Sequence, residues 1–97
     1  MAKGYWITLY RTVSNPAALA DYAQLAGPAI QAGGGRFLVR GMPAKTFEQG
    51  LSQRTVVIEF DSLEDAIKTY ESSAYRAAVK LLQGAAERDV RFVAGAS

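Results

Sequence analysis

At 97 residues the chain is about one domain long, and with no cysteine and no histidine it lacks both disulfides and the usual zinc or iron–sulfur ligands. Its formal charge of +2 comes from eleven Lys and Arg against nine Asp and Glu, scattered without a basic stripe, which argues against nucleic acid as a partner. No run approaches the roughly 18 apolar residues of a membrane span and the start, Lys3-Gly4-Tyr5-Trp6, has no apolar signal-peptide core, so the cytoplasm is the expected compartment and no membrane partner is expected.

Tyr5 to Val13 mixes aromatic, β-branched and aliphatic residues, the composition of a strand. Ser14-Asn15-Pro16 then opens a helix: Asn15 can accept from the free amides of the first turn, and Pro16 suits a position whose N–H would have no partner. The helix is expected over Ala17 to Ala32, with Leu19, Tyr22, Ala23, Ala26 and Ile30 on one stripe and a kink or break near Gly27 caused by Pro28. Gly33-Gly34-Gly35 reads as a helix C-cap and tight turn. A phosphate-cradling loop would follow a strand and open a helix, and here the order is reversed.

A short second strand is expected at Arg36 to Arg40, closed by Gly41-Met42-Pro43, with a further brief extended piece at Thr46-Phe47-Glu48. Thr55 to Phe60 is the most strand-like segment. Ser62 caps a second helix, with Asp65 completing a capping-box-like arrangement. That helix runs through Ala66, Ile67 and Tyr70, breaks at Ser72-Ser73, and resumes from Tyr75 to Leu82, before a last strand at Val90 to Val93. The order βαββαβ predicts a ferredoxin-like α+β fold: an antiparallel sheet with two helices on one face.

Alternation assigns side chains to the two faces. Val56, Ile58 and Phe60 are placed against the helices, together with Ile7, Leu9, Phe37 and Val39; the open face is expected to carry Trp6, Thr8, Tyr10, Arg36, Leu38, Arg40, Thr55, Val57, Glu59 and Val93. Such a face is too apolar to stay wet, and a second copy covering it is the simplest remedy. The expected partner is therefore the chain itself, as a homodimer.

Several blocks resemble one family across nearly the whole chain: Lys3-Gly4-Tyr5-Trp6-Ile7, Asn15-Pro16, Gly34 to Gly41, Arg54 with Val56 to Ser62, and Tyr70 with Ser72 and Tyr75. They are similar to the family catalogued as domain of unknown function family 1330. The resemblance implies a dimeric α+β barrel of two facing ferredoxin-like sheets, with no settled activity. The chain departs from the family pattern at Ser73-Ala74, where Pro-Glu is usual, at Gln49-Gly50-Leu51, where Gly and then Trp are expected, and at Leu82, where arginine is common.

The constellation singled out is Glu59 with Arg36 and Arg40, flanked by Trp6 and Tyr10. A carboxylate tuned by burial and arginine suits proton transfer or anion recognition, although a cross-strand Arg36–Glu59 ion pair accounts for the same residues. Two functions are compatible with it. One is a non-catalytic homodimer that binds a small organic or anionic ligand through Trp6, Tyr10, Arg36, Arg40 and Glu59. The other is a cofactor-free enzyme resembling the small monooxygenases, isomerases and cyclases of this barrel, with Glu59 as base and Arg40 stabilising charge. No metal and no cofactor are expected, and the absence of histidine excludes a Ser-His-Asp mechanism.

Overall fold

The computed structural model describes residues 2–96. Its elements run β1 (Gly4–Val13), α1 (Pro16–Ala32), β2 (Arg36–Gly41), β3 (Thr55–Phe60), α2 (Leu63–Glu71), α3 (Ser73–Lys80) and β4 (Ala86–Ala94). The four strands form one sheet in the order β2-β3-β1-β4, every neighbouring pair antiparallel. The fold is therefore the expected ferredoxin-like α+β arrangement, with the second helical segment divided in two at Ser72.

Local chemistry sets the helix ends. The Asn15 side chain accepts from the Ala18 amide, and the Ser62 and Ser72 hydroxyls accept from Asp65 and Tyr75. Helix α1 runs through Pro28 without the expected break. Gln24, whose carbonyl loses its helical donor there, is exposed, as is Pro28, so water can serve the freed carbonyl. At the far end Gly34 donates to Gln31 and Gly35 to Ile30, a Schellman motif with Gly34 at φ 96°. A Cβ on Gly33 would collide with the Thr69 side chain, so the turn also brings α1 against α2.

Two expectations about extended structure change. Thr46 to Glu48 is a loop, closed by a hydrogen bond from the Gly50 amide to the Phe47 carbonyl, with Glu48 at φ 53°. The last strand starts at Ala86 rather than Val90, because β1 is long enough to pair with it back to Val13.

The larger correction concerns the faces. Trp6 lies opposite Ile58 and Thr8 opposite Val56, and residues directly opposite in an antiparallel ladder project to the same side. The apolar set of β3 therefore carries Trp6, Thr8 and Tyr10 to the helix side, where all three are buried, while Ile7 and Leu9 turn to the open face. The three helices bury alanines, Ala26, Ala66 and Ala78, and such small residues leave depth that large rings on the sheet can fill. Trp6 packs edge-on to Tyr75 at 4.7 Å between ring centroids and also meets Tyr70, Phe92 and Phe60. Its indole N–H donates to Thr8 Oγ1 at 3.0 Å, which satisfies both buried polar groups.

The second correction lies in β2. Arg36 pairs with Glu59 and Phe37 with Ile58, but Val39 then pairs with Val57 and Arg40 with Val56. Leu38 is the extra residue of a β-bulge, which reverses the alternation beyond it. Val39 accordingly turns to the open face and Arg40 to the helix side, opposite to what alternation predicts.

Candidate functional site

The open-face cluster is built from a single row across three strands. Glu59 stands between Arg36 on β2 and Tyr5 on β1. Arg36 Nε donates to Glu59 Oε1 at 3.1 Å and the Tyr5 hydroxyl to Oε2 at 3.0 Å, while Arg36 Nη2 reaches Asp61 at 3.1 Å. The Tyr5 hydrogen bond foremost, aided by Arg36 against the opposing effect of burial, holds the Glu59 carboxyl below its ordinary value. A carboxylate with both oxygens engaged and a lowered pKa is a weak proton acceptor. The cluster is an ion pair with a tyrosine buttress.

Trp6, Tyr10 and Arg40 belong to the other side. Of the five residues expected to share one site, the structure brings Arg36 together with Glu59, and Trp6 and Tyr10 together with Arg40, with the sheet between the two groups. Glu59 and Arg40, expected side by side, lie on opposite faces of the sheet.

The second group lines a cavity between α1 and the sheet. Its apolar wall comes from Trp6, Leu19, Ala26, Ile30, Phe37 and Ile58. Its polar lining is Thr8, Tyr10, Tyr22 and three arginines, Arg40, Arg54 and Arg88, with no carboxylate in the wall. The space it offers is about 40 Å³, enough for a few waters or the head of a ligand, where a drug-sized ligand needs roughly 300–1,000 Å³.

Each arginine arrives by a different route. Arg40 is turned in by the Leu38 bulge and stacks over the Phe37 ring at 4.3 Å. Arg54 sits just ahead of β3, its carbonyl accepting from the Tyr10 amide at 3.0 Å. Arg88 lies opposite Tyr10 in the β1–β4 ladder, its guanidinium 5.7 Å from the Tyr10 ring and 5.2 Å from the Tyr22 ring. Arg88 donates to the Tyr22 hydroxyl at 3.2 Å and to the Tyr75 hydroxyl at 3.4 Å, and those hydroxyls are 2.7 Å apart. Among the described residues, no ion pair includes Arg40, Arg54 or Arg88.

Burial, as the largest cause, pushes the phenols of Tyr10, Tyr22 and Tyr75 up from their ordinary value, so at neutral pH they are uncharged. Burial works against the Arg88 cation, but the facing oxygens of Tyr75 and Tyr22 outweigh it and its pKa is raised. The cavity is thus a cationic, aromatic-walled space without a protein anion. In the sequence Arg54 stands out only as part of a family-like block, Tyr22 falls on the core stripe of α1, and Arg88 precedes the expected last strand; recognising Arg88 requires the pairing that puts it beside Tyr10.

The family model described as "Domain of unknown function (DUF1330)" matches residues 3–96. None of the curated proteins matches the chain. Among solved structures, the methylated RPA0582 protein superposes with a TM-score of 0.75 at 19% identity, over 99% of this chain and 82% of that one; a second structure of RPA0582, from Rhodopseudomonas palustris, superposes with a TM-score of 0.73 at 19% identity, over 99% of this chain and 84% of that one, and is described as a protein of unknown function. A protein from Nitrosomonas europaea described as "Putative antibiotic biosynthesis monooxygenase" superposes with a TM-score of 0.69 at 13% identity, over 97% of this chain and 90% of that one. At these identities the likeness is one of fold.

Proposed function

We propose, from the premise that the chain belongs to the DUF1330 family, that it is a cytoplasmic, homodimeric protein binding a small organic ligand in the cavity between α1 and the sheet. The observation that carries this reading is the cavity's lining: aromatic and aliphatic walls with three arginines and two phenols among the lining residues and no carboxylate opposing them. Pockets that bind small molecules combine apolar walls with a few convergent polar groups. The space admits a compact molecule or the head of a longer one.

The second copy covers the open face. Ile7 and Val57 face each other there, Leu9 and Val93 flank them, and Val39 is added by the bulge. Leu9, Val39 and Val93 are 36%, 47% and 46% exposed in the single chain. At either end of this strip stand ion clusters, Arg36–Glu59–Asp61 and Arg11–Asp89–Arg91, whose place in an interface is the polar rim around its apolar centre.

The proposal does not extend to catalysis by Glu59, whose oxygens are taken by Tyr5 and Arg36 on the face away from the cavity. Tryptophan fluorescence tests the reading, because Trp6 is the sole tryptophan and lines the cavity. A screen of small carboxylic acids, phenols and neutral analogues should yield at least one saturable change in emission. A screen in which none produces one removes the ligand-binding reading.

A further inference from the structure

Arg88 has more donors than the protein uses. A guanidinium carries five N–H groups in a planar fork, and here one from Nη1 goes to Tyr22 and one from Nη2 to Tyr75. Both acceptors are neutral. The hydroxyl pair is also one acceptor short. Of its two protons one lies in the 2.7 Å bond between Tyr22 and Tyr75. If Tyr75 donates that bond, Tyr22, the member that lines the cavity, is left with a proton to give. With Tyr75 as the donor, Arg88 and Tyr22 offer several donors to one small space, and Arg40 and Arg54 add positive charge to its wall.

We infer that the Arg88–Tyr22–Tyr75 cluster is a carboxylate seat, and that the ligand is a compact monocarboxylate, or a longer molecule ending in one, which enters head first. This inference rests on the reading of the cavity as the binding site. Two oxygens of one carboxylate can take a guanidinium N–H each and the Tyr22 hydroxyl proton, and charge-assisted bonds of this kind are the strong ones. The shape favours a flat anion: the rings of Tyr10 and Tyr22 lie beside the guanidinium, and the 40 Å³ of space suits a planar carboxylate better than a tetrahedral phosphate. The aliphatic remainder of the ligand would lie along Ala23 and Gly27 of α1, which also line the cavity.

The test compares propionate with propionamide, which share a shape and differ in charge, following the Trp6 indole N–H signal by NMR. Propionate should shift it saturably and bind about tenfold or more tighter than the amide, the worth of one or two hydrogen bonds to a charged group. Arg88→Gln should abolish that preference. Arg88→Lys, which keeps the charge and loses the fork, should lose most of it and decides the matter if the glutamine variant does not fold. Equal binding of acid and amide, or a preference that survives in both variants, overturns the carboxylate seat and leaves the cavity reading standing. Inorganic phosphate binding in place of propionate also overturns it. If neither propionate, propionamide nor phosphate perturbs Trp6, the carboxylate seat is overturned and the wider fluorescence screen decides the cavity reading.

Discussion

Arg40 and Glu59 lie on opposite faces of the sheet, although the alternation of β2 counted from Arg36 puts them on the same one. The single extra residue at Leu38 separates them. It leaves Glu59 with Arg36 and Tyr5 and delivers Arg40 to the cavity. A ligand in the cavity should therefore ignore one of these residues and feel the other. Glu59→Gln should leave the fluorescence response of Trp6 within about twofold of the parent, whereas Arg40→Gln should weaken an anionic ligand by about tenfold. Titrations of both variants against the same carboxylate check this.

Glu59 should instead show itself in acid stability. Its folded pKa lies below the ordinary value, held there by Tyr5 first and Arg36 after it, so its contribution is fully present above the unfolded value and is lost as the pH falls through the folded one. The parent should melt higher than Glu59→Gln at neutral pH, and the gap should close below the ordinary carboxylate range. Thermal denaturation at pH 7 and at about pH 3 measures both ends of that window. A gap that does not change with pH would show that the ion pair is not its source.

The buried phenols set the opposite limit. Tyr10, Tyr22 and Tyr75 have folded pKa values raised chiefly by burial. Their contribution is present below the ordinary phenol value and is lost as the pH rises through the folded values. An ultraviolet titration should show these three tyrosines ionising late and in step with loss of far-ultraviolet circular dichroism. Early, reversible ionisation of all five tyrosines in the folded chain would contradict the burial of the cluster.

Tyr75→Phe isolates one link of that cluster. Tyr75 is fully buried and shares a hydroxyl contact with Tyr22 and with Arg88. Removing its oxygen while keeping the ring leaves a half-buried guanidinium with one acceptor fewer. Stability should fall by about 1–3 kcal/mol, measured by urea denaturation. A saturating carboxylate should recover part of the loss through binding.

The dimer proposal predicts a light-scattering mass twice that of one chain at micromolar concentration. Val57→Glu introduces a charge at the centre of the open strip, opposite Ile7, and should return the mass to that of one chain while leaving the circular dichroism of the fold. A parent that scatters as one chain would remove the second copy from the reading.

Much of this architecture is legible in the chain because it depends on short-range chemistry. Asn15 before Pro16, Ser62 three residues ahead of Asp65, and the glycines at 33–35 mark helix ends through contacts spanning a few residues. In β3, Val56, Ile58 and Phe60 leave no doubt about the inner face, since Glu59 alternates with them. The site is less legible because each of its residues depends on a partner distant in sequence. β1 is apolar on both faces, so only its register against β3 decides that Trp6 and Tyr10 turn inward. Nothing in Arg36 to Arg40 announces a bulge; it exists because β2 must keep its pairing with β3 on both sides of Leu38. Arg88 precedes the residues that look like a strand and becomes part of one only because β1 continues far enough to pair with it. Alternation tells which residues share a face within a strand, whereas the phase of one strand against the next is set by packing volume and ladder register, and these are properties of the folded sheet alone.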